Sequence, residues 1–325
     1  MGTILDKAQY INVTKGLIKD AANSLGAGIL LSDTFRAYPD KISAVKTAAS
    51  ITKVTNAISG SYNNVTGWKF YLVVPEKDGD DNYITGFGDA DFAAGIKTSV
   101  YGIFLPTQCI HVGNYGKNIN GVEEFIADGV TSIPSGDQIV NGTSGRCKKV
   151  SMDSLVNITT AQANLFGSDY TVTDLDYSFA ELDTINSSYG LFQKSVFTRL
   201  NVPKLAHLKK QGATSSPFHQ CTFPASFVFP ALEDIEDAFG ACDSADHKIY
   251  FPALTALKQY NYGGNFKNAL FTDIYLGPNL ASIDTYTVTN LNGITGLTIH
   301  TSAGVAAILT AAGVSATIAQ DYEGA

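Results

Sequence analysis

A leucine-anchored frame recurs along the second half of the chain, and it restricts the fold more than any other feature. Phe229-Pro-Ala-Leu-Glu-Asp-Ile235, Phe251-Pro-Ala-Leu-Thr-Ala-Leu257 and Leu276-Gly-Pro-Asn-Leu-Ala-Ser-Ile283 define it. Val202-Pro-Lys-Leu-Ala-His-Leu208 and Phe179-Ala-Glu-Leu-Asp-Thr-Ile185 fit the same frame. The first leucine of each frame falls at 182, 205, 232, 254 and 280, at intervals of 23, 27, 22 and 26. Leu155-Val-Asn-Ile158, Val130-Thr-Ser-Ile133 and Cys109-Ile-His-Val112 continue the series upstream at weaker match, for about eight coils. A unit this short cannot bury its apolar edge alone, so successive units must stack.

Each coil has three parts. A short alternating strand comes first: Leu175-x-Tyr177, Leu200-x-Val202, Phe227-x-Phe229, Ile249-x-Phe251, Ile274-x-Leu276 and Leu297-x-Ile299. The Leu-x-x-Ile/Leu segment follows, usually after proline. An aromatic with a small residue three positions later closes the coil: Phe192 with Ser195, Phe218 with Cys221, Phe239 with Cys242, Phe266 with Ala269. Units of about 20–29 residues with one strand each are the leucine-rich-repeat pattern. The fold expected is mainly β with short helices: a leucine-rich-repeat solenoid over 101–300, preceded by an N-terminal helical segment. Alternation points every second strand residue outward. Asp176, Asn201, Val228, Tyr250, Tyr275 and Thr298 are those positions, and Val228, Tyr250 and Tyr275 form an apolar-aromatic ladder. Such a ladder can bind an external ligand, join copies of the chain, or stabilise the sheet by neighbour stacking.

Outside the repeat the chain divides by pattern and charge. Residues 1–60 carry seven basic and four acidic residues, a balance of +3, so the remainder carries −11 of the total −8. Ile11, Ile18, Ala21, Ala22 and Leu25 recur at helical spacing, and Gly26 stops the run. A second helical run spans Ile42 to Ile58. Neither helix can bury its apolar face alone, which marks 1–60 as an attachment or assembly segment. Residues 61–100 are expected to form a small β cap, and 301–325 a C-terminal cap. In the latter, Ser302–Ala312 reads as a helix and Ala316–Ala319 as a strand.

Several functions are excluded or disfavoured. Net charge of −8 makes the chain a poor nucleic-acid binder. No apolar run reaches the ~18 residues of a membrane span, and the first 30 residues hold no long apolar h-region, so no secretory signal is expected. No nucleophile elbow, zinc-protease helix or phosphate-binding loop occurs, so no enzyme, no cofactor and no metal is expected. Asp78-Gly-Asp-Asp-Asn82 lacks the spacing of a calcium loop and reads as a hairpin turn. The pairs Asp174/Asp176 and Glu181/Asp183 read as solvated solenoid faces. The cysteines at 109, 147, 221 and 242 include no CxxC, which fails the zinc-ribbon and disulfide-scaffold patterns. Cys221 and Cys242 occupy one position in successive coils and read as small buried hydrophobes.

The combination Phe-x-x-Cys, x-Ile-x-Phe-Pro, x-Leu-x-x-Ile resembles the BspA-like leucine-rich repeats of bacterial surface proteins and phage virion proteins. The resemblance spans about 100–300 and is specific from about 170 onward. It implies core cysteines stacked as free thiols, a role that Cys221 and Cys242 match. Tyr10-Ile-Asn-Val-Thr-Lys-Gly-Leu-Ile-Lys-Asp-Ala-Ala22, followed by Thr34-Phe-Arg-Ala-Tyr-Pro-Asp-Lys-Ile42, resembles an N-terminal element of tailed-phage fibre and appendage proteins. Ile11, Ile18, Phe35, Tyr38 and Ile42 are then the candidate attachment residues. Together the resemblances imply a phage virion structural protein of head-fibre, capsid-decoration or tail-appendage type. It would be assembled in the host cytoplasm and bound to other virion proteins through its N-terminus. A homo-oligomer and contact with a host surface glycan or protein are implied partners; nucleic acid and membrane insertion are not. A bacterial cell-surface adhesin of the same repeat class is the alternative.

Overall fold

The fold comes from a computed structural model that describes residues 70–78, 80–88, 100–112, 122–133, 147–160, 172–187, 190–210, 216–258 and 265–322. The segment 1–60, with Ile11, Ile18, Phe35, Tyr38 and Ile42, lies outside the described residues.

Each repeat strand pairs in parallel with the strand one coil later, so the chain winds a parallel β-solenoid. The first sheet holds eight strands: Phe70–Val73, Val100–Phe104, Glu124–Ile126, Lys149–Ser151, Val172–Ser178, Ser195–Asn201, Thr222–Phe223 and Asp243–Ser244. The second holds six: Asn157–Thr160, Thr184–Ser187, His207–Lys210, Asp234–Glu236, Ala256–Lys258 and Ser282–Ile283. The third holds five: Phe227–Val228, Lys248–Phe251, Asp273–Leu276, Thr298–His300 and Thr317–Ala319. The described chain is mainly β, with two short helices, α1 (Thr285–Asn292) and α2 (Ala303–Ala311).

Period-two alternation explains the core. Ile103, Phe125, Val150, Tyr177 and Leu200 are successive register partners on the first sheet, all facing inward and buried. Ile158, Ile185, Leu208, Ile235 and Leu257 make the same column on the second. The upstream frames hold too: Val130, Leu155 and Cys109 are fully buried. The strand Phe70–Val73, within the segment 61–100 expected to cap the first coil, pairs in parallel with Val100–Phe104 at the start of the main ladder.

The corners are closed by two chemistries. In the later coils Phe192, Phe218, Phe239 and Phe266 stack in sequence, with centroids 5.2, 5.7 and 5.6 Å apart. The residue two places after each phenylalanine takes a left-handed conformation: Lys194, Gln220, Ala241 and Asn268 have φ between 51° and 60°. The small residue that follows, Ser195, Cys221, Cys242 or Ala269, is buried. In the earlier coils an aspartate occupies the turn where proline stands later. Ser151 Oγ donates to Asp128, and Ser178 Oγ donates to Asp153 at 2.6 Å. Backbone amides of Asp153 and Ala180 donate to the same carboxylates, so each aspartate ties its own turn to the next coil.

Coil contact is close enough to select glycine at two turns, Gly129 and Gly277. A Cβ on Gly277 would sit 1.8 Å from the Pro252 carbonyl oxygen. The C-terminal end of the solenoid carries the two helices. Ser302 caps α2, which buries Val305, Ala306 and Leu309, and Thr317–Ala319 adds a final strand. Helix α1 was not foreseen, because its run of β-branched residues has low helix propensity. Asp284 compensates by accepting from the amides of Tyr286 and Thr287 at its N-terminus. Beneath it, fully buried Asn265 accepts from Ala238 N and donates to Lys258 O and Thr287 Oγ1.

Candidate functional site

The outward ladder exists over Val228, Tyr250 and Tyr275 in the third sheet, while Asp176 and Asn201 lie in the first sheet and are not part of it. Val228 pairs with Tyr250, and Tyr250 with Tyr275. The next rung is His300, not Thr298, because Thr298 pairs with Asp273. Asp176 likewise lies beside Arg199 rather than Asn201, which pairs with Ser178. These pairs keep the 23-residue offset of the Leu182 and Leu205 frames, whereas aligning Leu175-x-Tyr177 with Leu200-x-Val202 sets the strands two residues off.

The rings lie face to face. Tyr250 and Tyr275 stack with centroids 4.1 Å apart and planes 12° apart; Tyr275 and His300 follow at 4.2 Å and 8°. Side chains on all four rungs are half-buried. Ring faces are therefore consumed within the ladder, bounded by Val228 at one end and Ala319 at the other. A sugar ring needs an open aromatic face, whereas this ladder offers ring edges and hydroxyls. Burial, reinforced by the Tyr250 hydroxyl and Asp273, pushes the Tyr275 phenol up to about 12. Ring stacking of this kind is the arrangement expected of sheet packing between neighbours.

His300 ends the ladder between two carboxylates. Its Nε2 lies 2.9 Å from Asp273 Oδ1 and its Nδ1 2.9 Å from Asp321 Oδ1. Burial alone would lower its pKa, but the hydrogen bonds to Asp273 and Asp321 outweigh it and the net shift is upward. Burial would raise Asp273, yet His300 and Thr272 together hold it below the usual carboxylate range.

An open aromatic face occurs elsewhere. Tyr71 and Val73, on the first strand, are 53% and 64% exposed. Tyr71 packs edge-on to Tyr101 at 5.2 Å and lies 5.6 Å from Phe104. It also covers Gly102, where a Cβ would meet the Tyr71 ring at 2.8 Å. Glu123 raises the Tyr101 phenol, ahead of burial and Tyr71. The result is an apolar-aromatic face on the first described strand, with Glu123 and Glu124 beside Tyr101. The alternation Tyr71-Leu72-Val73-Val74 was the available signal, but both outward residues are hydrophobic, so it does not reveal which face is open.

The remaining candidates take structural roles. Cys221 and Cys242 are buried thiols with no disulfide, as are Cys109 and Cys147. Cys221 Sγ donates to Phe192 O at 2.8 Å, and Cys242 Sγ to Phe218 O at 3.5 Å, so each thiol bonds the preceding coil's aromatic corner. Burial pushes the Cys242 thiol well up, and Cys147 likewise. Asp176 and Glu181 pair across coils with Arg199 and Lys204. Asp78 accepts from the amides of Asp80 and Asn82, and Lys77 bridges antiparallel to Tyr83, which makes a hairpin turn. No known protein family, characterised protein or solved structure matched the chain when each was searched.

Proposed function

We propose that this protein is a structural component of a phage virion, of the head-fibre or tail-appendage type. It presents a BspA-like leucine-rich-repeat solenoid and attaches through residues 1–60. The observation that carries the proposal is the pairing of a parallel ladder that runs through the described coils with an exposed aromatic face on its first described strand. Stacked coils supply an extended surface rather than a reaction cavity. The face around Tyr71 and Val73 is of the kind used for assembly contacts: aromatic and apolar. The repeat frame Phe-x-x-Cys, x-Ile-x-Phe-Pro supports the repeat class, and the Thr34–Ile42 element supports the phage setting. Mass spectrometry of purified virions tests this. The proposal expects the chain in defined copy number per particle; its absence from washed particles, with the chain found on a bacterial cell surface, overturns it in favour of an adhesin.

A further inference from the structure

We propose that His300 is a proton-operated latch that fastens the end of the chain to the last coils of the solenoid. Both ring nitrogens lie within hydrogen-bond reach of a carboxylate: Asp273 on one side, Asp321 on the other. An ionised carboxylate only accepts hydrogen bonds, so both contacts require an N–H. The doubly protonated ring supplies two; the neutral ring supplies one and turns a lone pair toward the other carboxylate. Loss of the proton therefore breaks one bond and leaves two carboxylates beside an uncharged ring.

The two partners are not equally held. Asp273 sits within a paired strand, and its second oxygen accepts from Thr272 Oγ1 at 2.8 Å. The Asp321 side chain is 58% exposed and follows the last strand, Thr317–Ala319. Asp321 is the partner that lets go. The charged groups around the ring are Asp273 on its paired strand, Lys248 one strand further, and Asp321 on the terminal segment. Tyr275 stacks on the ring, a geometry that favours the cation, and Tyr250 lies behind it. Because the folded state binds this proton more tightly than the unfolded chain, the latch is fully closed below about pH 6.5. It opens as pH rises through the folded-state value above that. Asp273, held low, stays ionised throughout this range.

The opened latch releases the Asp321 side chain, leaving Tyr322 tied to Thr301 O through its amide, and loosens the edge strand Thr317–Ala319, which has a partner on one side only among the described residues. Hydrogen exchange followed by mass spectrometry on the full chain, from pH 5.5 to 9, tests this, with rates corrected for intrinsic exchange. Protection of the peptide covering 314–322 is expected to fall by up to about tenfold per unit of pH from about 6.5 to the folded His300 value, and to level off above it. Peptides covering 227–251 should keep theirs. Asp321→Asn, an exposed change, should give the low-protection level at every pH, with no step. The ring carbon resonances of His300 should titrate with the same midpoint. A flat pH profile for 314–322, a step that survives in Asp321→Asn, or a step shared with 227–251 overturns the proposal.

Discussion

The two ends of the solenoid share one ladder and fasten it differently. From Phe192 onward the corners are filled by stacked phenylalanines, and the turn after the strand begins with proline at 203, 230 and 252. Between Ala127 and Ser178 the turn carries aspartate, and hydroxyl-to-carboxylate bonds join the coils. The outer faces differ in the opposite sense. Late in the chain the outward rings are stacked and half-buried; early in the chain Tyr71 and Val73 stand open. A parallel ladder thus fixes the backbone spacing, while each region is free to stabilise the spacing with buried aromatic area or with local polar bonds. The coils fastened by polar bonds lie in the same half of the ladder as the strand whose outer face is open.

Changes that strip each fastening should rank accordingly. Phe218 is fully buried between two parallel rings, so Phe218→Ala should cost about 4 kcal/mol in denaturant unfolding. A cost below about 1 kcal/mol would mean the stack is not the fastening of the later coils.

The outer faces give the next contrast. Tyr250→Ala with Tyr275→Ala should cost about 2 kcal/mol, with no change of size in solution, because the stack is internal. Tyr71→Ser with Val73→Ser should change stability by less than about 0.5 kcal/mol. Equal losses at the two faces would erase the distinction, and a smaller species on sizing the Tyr250/Tyr275 variant would assign that ladder to a contact between copies.

The aspartate turns should give an effect between those of the two outer faces. Asp153→Ala leaves the Ala180 amide and the Ser178 hydroxyl without their acceptor and should cost about 1.5 kcal/mol. Urea titration of this variant beside Phe218→Ala measures how far the two fastenings differ; a larger loss for Asp153→Ala reverses the comparison.

The same contrast governs what the sequence discloses. The late coils announce themselves because Phe-Pro, Leu-x-x-Ile and Phe-x-x-Cys each answer a packing need at a fixed place in the coil. Val130 and Leu155 were found by leucine spacing alone, since Asp128 and Asp153 hide the turn from a search for proline. The ladder at Val228, Tyr250 and Tyr275 was legible from alternation, but its continuation through His300 was not. Ile299 lies level with Ile274, so the outward partner of Tyr275 is the residue after Ile299, while the frame Leu297-x-Ile299 had pointed to the residue before it. Helix α1 depends on a single capping aspartate against poor propensity, a balance that sequence pattern does not weigh.

Attachment through the N-terminal segment is the centre of the account, and incorporation of truncated protein into particles measures it directly. Particles assembled with the full chain should carry it, while residues 61–325 alone should fold with the circular dichroism of the intact solenoid and stay in the soluble fraction. Incorporation of 61–325 at the level of the full chain would contradict the account.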